Sequence, residues 1–381
     1  MANKPTRIIF TGDVAFSKYF ADGWKGDGCL SRSIVEFLET ADFVVANIEC
    51  PITNAGIELS NKKLVHVSDP EGAQYLSKSG IKYWNLSNNH IMDCGDQGLL
   101  DTMSLARENG CITLGAGENL AEACKPVILG DEVKIGIFSV TEPFKYLIAG
   151  EHSAGTLTWD KTKEIQNIIE KLKKDCDWIV AIAHGGDEFC NLPMPYIRDQ
   201  YMALLKMGAD LVVAHHPHVV QNYERFGKKV IYYSLGNFIF DTDNQRCYSY
   251  TDKGVLARID FDKDSYSAEY CGVGINRKKA VVEKDDIPPI FTEIDERNYR
   301  MLWPLEACRL YPIDYKKRRF IKNDQNSARF ILFLKEIYIL RKKRKRTLLK
   351  GSIISLLRGW KKSDYKDVVH YIRNSWSTFH A

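Results

Sequence analysis

The chain reads as an α/β protein with largely parallel strand pairing. Two observations predict it. Short apolar runs alternate with helical patterns over residues 7–233. Six of those runs end in a polar cluster, and ligands of open α/β sheets gather at the carboxyl ends of strands.

Taken in order, residues 7–13 read as a strand entering a Gly12-Asp13 turn. Residues 31–39 are helical, with Ser33 and Glu36 spaced as a capping box. The run 43–46 leads to Asn47 and Glu49, and the run 81–84 leads to Asn85, Asn88, Asn89 and His90. Residues 96–109 place Leu99, Leu100, Met103, Leu105 and Ala106 at helical spacing and stop at Gly110. Residues 161–174 put Ile165, Ile168, Ile169 and Leu172 on one helical face. The run 178–183 leads to His184-Gly185-Gly186-Asp187-Glu188, and a helix over 196–207 stops at Gly208. The run 211–214 leads to His215-His216-Pro217-His218, and the run 230–233 leads to Ser234-Leu235-Gly236-Asn237-Phe238. Strand-like text over 255–261 and 266–273 is expected to complete the sheets.

After Pro288-Pro289 the composition shifts, which divides the chain into a domain at 1–285 and a basic, mainly helical C-terminal extension at 286–381. That extension carries Lys316-Lys317-Arg318-Arg319 and an unbroken basic run at 341–346, followed by leucine and isoleucine pairs. A basic helix with an apolar face suits an anionic membrane surface, nucleic acid or a partner helix, and equally a solvated helical extension; of these, peripheral membrane or partner-protein contact through residues 316–360 is the functional expectation.

The whole chain has 381 residues, 45% hydrophobic and 27% charged, with a formal net charge of +4. This is ordinary globular composition, and the balance implies no nucleic-acid partner. The sequence starts directly on a strand, with no apolar leader and no run of membrane-spanning length. The expected location is cytoplasmic, with peripheral contact at the inner face of the membrane. Ten cysteines are scattered without a C-x-x-C pair and are expected to be reduced thiols, Cys94 and Cys190 lying near site loops.

The histidine cluster at 215–218 organises the chemistry. Neutral imidazole nitrogen suits zinc, iron and similar ions, and Pro217 is expected to bend the loop while pushing His216 into an extended conformation. With the other strand ends, the candidate ligands are Asp13, Glu49, Asn89, His184, His216 and His218. A shared carboxylate, imidazoles and one amide oxygen are how a site for one or two divalent ions (Mn, Fe or Zn) is assembled. Asn89 would give its carbonyl oxygen to an ion, His90 would face substrate, and Asp93 would orient His90. Read alone, Asn88-Asn89 equally suits a turn. Tyr19, Phe20, Trp24, Tyr146 and Trp159 fall in loops that can shape a pocket.

The ordered set Gly12-Asp13, Asn47-x-Glu49, Asn88-Asn89-His90-x-x-Asp93-x-Gly95, His184-Gly185-Gly186-x-Glu188, His215-His216-Pro217-His218 and Ser234-Leu-Gly-Asn-Phe238 resembles the CapA family of bacterial capsule and poly-γ-glutamate synthesis proteins. That family is a branch of the calcineurin-like metallophosphoesterase superfamily, and the resemblance spans roughly residues 6–275. It implies a sandwich of two mixed sheets flanked by helices, with ions at one edge. It implies that Glu49 bridges the ions, that His184 and His216 hold one and His218 the other, and that Glu188, Asn88 and Asn237 lie near substrate. The sequence departs from phosphoesterases at Asp13-Val14-Ala15, where a ligand histidine is usual, and at Asn47-Ile48-Glu49, where a bridging aspartate is usual.

The function implied is capsule or poly-γ-glutamate-type polymer or peptide biosynthesis, through a metal-dependent hydrolase or transferase acting on an amide or phosphoester bond. The substrate would be a polymer, peptide or phosphoester. Two other readings are a peptide epimerase with His90 and Glu188 as the acid–base pair, and a non-enzymatic accessory protein of a membrane-associated polysaccharide-synthesis complex.

Overall fold

A computed structural model describes residues 4–56 and 64–310. Its strands are Thr6–Val14 (β1), Phe43–Ile48 (β2), Tyr83–Asn85 (β3), Ile112–Leu114 (β4), Ala116–Gly117 (β5), Val127–Leu129 (β6), Ile135–Thr141 (β7), Gly155–Thr156 (β8), Trp178–His184 (β9), Leu211–His215 (β10), Tyr223–Phe226 (β11), Lys229–Tyr232 (β12), Asn237–Ile239 (β13), Lys253–Phe261 (β14), Tyr266–Asn276 (β15) and Val281–Asp285 (β16). Its helices are Arg32–Leu38 (α1), Glu71–Lys78 (α2), Gly95–Glu108 (α3), Leu120–Ala123 (α4), Thr162–Asp175 (α5), Pro195–Met207 (α6), Asp243–Arg246 (α7) and Glu296–Leu310 (α8).

An eight-stranded sheet runs β16-β15-β14-β1-β2-β3-β4, with β13 also paired to β1. A six-stranded sheet runs β11-β12-β10-β9-β7-β6. β1 to β4 and β13 are parallel in the first sheet, as are β7, β9, β10 and β12 in the second. β14, β15 and β16 join the first sheet antiparallel, and β6 and β11 the second. The protein is thus the expected α/β sandwich of two mixed sheets flanked by helices.

The two sheets share one core and the first sheet faces another. Ile8, Phe10 and Val45 pack with Ile137, Val180 and Val213 of the second sheet. Ile9, Val14 and Ile48 point the other way, into a core that includes Ile34, Leu38, Leu76 and Leu99 of α1 to α3. Successive strand residues alternate faces, so burial on both faces is why β1 and β2 read as unbroken apolar runs. On α5, the expected Ile165, Ile168, Ile169 and Leu172 are the buried set.

Two local expectations are corrected and one strand is added. Ser31, not Ser33, is the residue before α1, and its side chain makes no capping bond, so the Ser33–Glu36 spacing is not a capping box. Gly12 and Asp13 are not a turn, because β1 continues through them to Val14. β7 is a further strand, missed because its end, Thr141-Glu142-Pro143, carries none of the histidine or asparagine clusters that mark the other strand ends.

One compact unit comprises Met1–Pro193 and Ile197–Ile294. Residues 286–294 stay with it. The Ile294 N–H donates to the Tyr223 carbonyl at 2.7 Å, and Tyr223 N–H donates to Thr292 at 3.1 Å. Among the described residues, the second unit comprises Met194–Tyr196 and the chain from Asp295 through α8. The basic clusters at 316–319 and 341–346 lie outside the described residues. Among the described residues, no helix is long and apolar enough to cross a membrane, and no disulfide joins the cysteines, Cys94 and Cys190 being buried thiols.

Candidate metal centre

Strand register assembles the site. Asp13 of β1 is in register with Asn47 of β2 and with Asn237 of β13, and Asn47 is in register with Asn85 of β3. In the second sheet His184 ends β9 beside His215 of β10. Glu49 follows β2 directly and is fixed by its N–H on the Val14 carbonyl at 2.8 Å. The C-terminal ends of both parallel sheet centres therefore deliver these side chains together.

Two groups of candidate ligands result, Glu49–His184–His216 and Asp13–Glu49–His218, all buried, with Glu49 in both. His184 Nε2 is 2.9 Å from Asn89 Oδ1, 3.2 Å from His216 Nδ1 and 3.5 Å from Glu49 Oε1. That same Glu49 oxygen is 3.5 Å from His218 Nε2. Ligands held roughly 2.0–2.2 Å from a tetrahedral ion lie about 3.4 Å apart, which is the spacing of these donors.

Asp13 supports the same fit. Its Oδ1 accepts from Asn47 Nδ2 at 2.8 Å and lies 3.1 Å from His215 Nδ1. Its Oδ2, fully buried, is 3.2 Å from His218 Nδ1 in an ion-pair contact without well-formed hydrogen-bond geometry. A buried carboxylate oxygen so weakly satisfied is costly, and a divalent cation would remove that cost.

The histidine turn does not adopt the expected shape. His216 has φ 100 and His218 has φ 56, so His216 is left-handed rather than extended. Alternation along an extended chain does not aim neighbouring side chains at one small volume. Two positive-φ residues do, at a cost of order 1–3 kcal/mol each that the surrounding structure sustains. Phe189 (φ 61) clamps the turn, with its N–H on the Pro217 carbonyl at 2.7 Å and its ring stacked on Tyr248 at 4.0 Å.

Protonation follows from these contacts. Burial holds the His184 imidazole well below its ordinary pKa, and His216 beside it adds to the effect, so His184 is in its ligand form. Burial pushes the Asp13 carboxyl up, but His215 and His218 outweigh it and hold the group well below the usual carboxylate range. His218 is the opposite case: burial lowers its pKa, and Asp13 more than offsets this, so the net direction is up. Asn237 donates its amide to the Thr251 carbonyl at 2.8 Å, which turns its oxygen to His218 Nδ1 at 3.1 Å and leaves Nε2 as the nitrogen towards Glu49.

A sign for metal binding follows. His218 keeps a proton to higher pH than a free histidine, and a ligand must shed it. Mn²⁺ affinity is therefore expected to rise with pH through and above the ordinary histidine range, with proton release on binding. Calorimetry in buffers of different ionisation enthalpy measures this, and pH-independent affinity without proton release would contradict it.

The second arm is His90. Its Nδ1 donates to Asp93 Oδ2 at 2.6 Å, so the structure brings that expected pair together. Asn88 and Asn237, expected near substrate, are fully buried. Asn88 gives its amide to the Ile48 carbonyl at 2.7 Å and accepts from the N–H of His90 and Ile91, which shapes the turn presenting Asn89 and His90. Glu188 is partly buried and close enough to His218 to raise its pKa.

Three residues escaped the sequence reading. Asn47 is a hub: besides Asp13, its Nδ2 is 3.3 Å from Glu49 Oε2 and from His184 Nδ1, and its Oδ1 accepts from Asn85 at 2.8 Å and Asn88 at 3.3 Å. His215 stands on Asp13. His66 donates its N–H to Asp93 Oδ2 at 2.8 Å and places its ring 4.5 Å from His90. Asn47 and His215 sat inside motifs already noticed, whereas a lone His66 between valines carries no local signal.

A family model described as "Bacterial capsule synthesis protein PGA_cap" matches residues 7–242. The chain belongs to this family. The matched stretch contains the candidate ligands and the His90–Asp93 pair. Among PGA_cap relatives, the capsule biosynthesis protein CapA of Bacillus anthracis is 29% identical over 249 residues, covering 63% of this chain and 61% of that protein. The PGA biosynthesis protein CapA of Bacillus subtilis is 31% identical over 238 residues, covering 61% of this chain and 62% of that protein. A probable polyglutamine synthesis accessory protein of Mycobacterium tuberculosis is 24% identical over 225 residues, covering 52% and 56%. The aligned region thus spans about three-fifths of the length of the two Bacillus relatives. Among solved structures, a hypothetical protein from Thermus thermophilus matches with a TM-score of 0.44 at 13% identity, over 74% of this chain and 100% of that one. A 5'-nucleotidase from Candida albicans matches with a TM-score of 0.42 at 9% identity, over 74% and 54%.

Proposed function

We propose that this PGA_cap protein is a metal-dependent hydrolase or transferase, acting on an amide or phosphoester bond in capsule or poly-γ-glutamate-type polymer or peptide biosynthesis. The observation that carries the reading is Glu49, whose carboxylate belongs to both ligand groups, as a residue bridging two cations must. Glu49, Asn89, His184 and His216 would hold one ion, and Asp13, Glu49 and His218 the other. Divalent ions held there would supply Lewis acidity to the attacked centre and to the attacking water.

The protein's own groups do the rest. Asp93 fixes the ring and tautomer of His90 through Nδ1, leaving Nε2 to pass a proton to the leaving group. Asn237 fixes His218, and Asn47 ties Asp13, Glu49 and His184 into one array. The low exposure of Asn89, His90, His216 and His218, none above 9%, keeps the reacting centre largely dry. The polymer assignment is supported by the names of the Bacillus relatives.

Turnover of bis(p-nitrophenyl) phosphate and of γ-glutamyl-p-nitroanilide by Mn²⁺-loaded protein tests this reading. Asp13→Ala is expected to abolish turnover while leaving the fold intact. Equal turnover by that variant would rule the reading out. Deuterium uptake from heavy water into an uncleaved peptide would replace it with epimerisation.

A further inference from the structure

The loop aromatics singled out in the sequence have different fates. Phe20 and Trp159 are buried, and Trp24 packs against the core. Tyr19 is exposed but pinned, its hydroxyl on Asp243 at 2.6 Å and its ring under the Arg246 guanidinium at 3.2 Å. Tyr146 differs from all of these. Its ring is 38% exposed, beside Phe144 at 37%, and the two stack at 6.0 Å and 26°. Its hydroxyl reaches inward and donates to the main-chain carbonyl of Asn89 at 3.4 Å. Burial, helped by the charge of Asp93, pushes the phenol up to about 12, so it stays a neutral donor near neutrality.

The position is specific. Asn89 faces His184 in the ligand cluster, and the next residue is His90, the proposed proton carrier. An exposed aromatic ring alone needs no explanation. A stacked pair anchored by a hydrogen bond to the turn that carries the proton donor is different. It offers a flat apolar face tied to the turn that presents Asn89 and His90.

We propose that the Phe144–Tyr146 stack is the leaving-group subsite, and that it takes a ring-shaped group against its face. This rests on the metal-centre reading above and adds the chemistry of the departing group to it. The stack then sets specificity through binding, while His90 and the metal ligands carry the reaction.

The test uses two non-hydrolysable probes, phenylphosphonate and methylphosphonate, titrated calorimetrically into the Mn²⁺-loaded full chain. The phenyl group stands in for the leaving group, and the shared phosphonate reports on the metal centre. Wild-type protein is expected to bind phenylphosphonate about tenfold more tightly, the scale of one aromatic stack. Tyr146→Ala is expected to remove that preference, read as the ratio of the two affinities within the same variant. Tyr146→Phe, which keeps the ring and loses the hydroxyl, should retain most of the preference. Equal binding of the two probes by wild-type protein overturns the subsite alone. So does a preference that survives Tyr146→Ala, or one lost as completely in Tyr146→Phe. Binding of neither probe overturns the metal-centre reading and the subsite with it.

Discussion

Glu49→Gln is expected to lower turnover by about 10³-fold or more, equivalent to at least about 4 kcal/mol of transition-state stabilisation, and to weaken both ion positions at once. His216→Ala should weaken only the position that His216 shares with His184. The contrast follows from the ligand groups, since Glu49 is common to both while His216 belongs to one. Gln keeps the size and one oxygen of Glu, so the fold should survive. What would be lost is the negative charge that two cations would share. Parallel activity and metal-binding measurements on the two variants check this. A Glu49→Gln protein no worse than His216→Ala in either would deny the carboxylate a bridging role.

The second large effect lies in the backbone. Gly12→Ala is expected to destabilise the protein by about 3 kcal/mol and to weaken metal binding more than tenfold. A Cβ at Gly12 would fall against the carbonyl oxygen of Gly236, a backbone atom that cannot swing aside. That carbonyl accepts from Asp13 N–H at 3.0 Å, where β13 begins its parallel pairing with β1. Forcing the strands apart therefore moves Asp13 away from Asn237 and from the His218 that Asn237 holds. Chemical denaturation with metal titration measures both quantities. A change within roughly 0.5 kcal/mol would show that this pairing has room to spare.

The Gly12 case shows what the sequence could and could not convey. Alternating apolar runs and helices predicted an α/β fold with largely parallel strands because both faces of β1, β2, β9 and β10 are buried, and continuous hydrophobicity records that directly; the pairing of two sheets came only from the family resemblance. The candidate ligand side chains were legible because each stands where an apolar run stops, a local signal. Gly12 looked like a turn glycine. Its actual constraint is the approach of Gly236, more than two hundred residues away, and nothing near Gly12 announces it. The conformation of His216 was misjudged for a related reason. The residue before a proline prefers to be extended, and here the demand that His216 and His218 converge overrides that local preference. Asn47 was seen as part of a motif, but its ties to Asp13, Asn85 and His184 depend on strand register and on the facing sheet, which only the assembled fold supplies.

The most direct measurement is elemental analysis of the protein purified without chelator or added metal, beside His216→Ala. Mn, Fe or Zn close to stoichiometric in the wild-type protein, and clearly reduced in the variant, is the predicted result. No metal in either protein, with both folded and neither taking up Mn²⁺ on addition, would contradict a metal centre built on Asp13, Glu49, His184, His216 and His218.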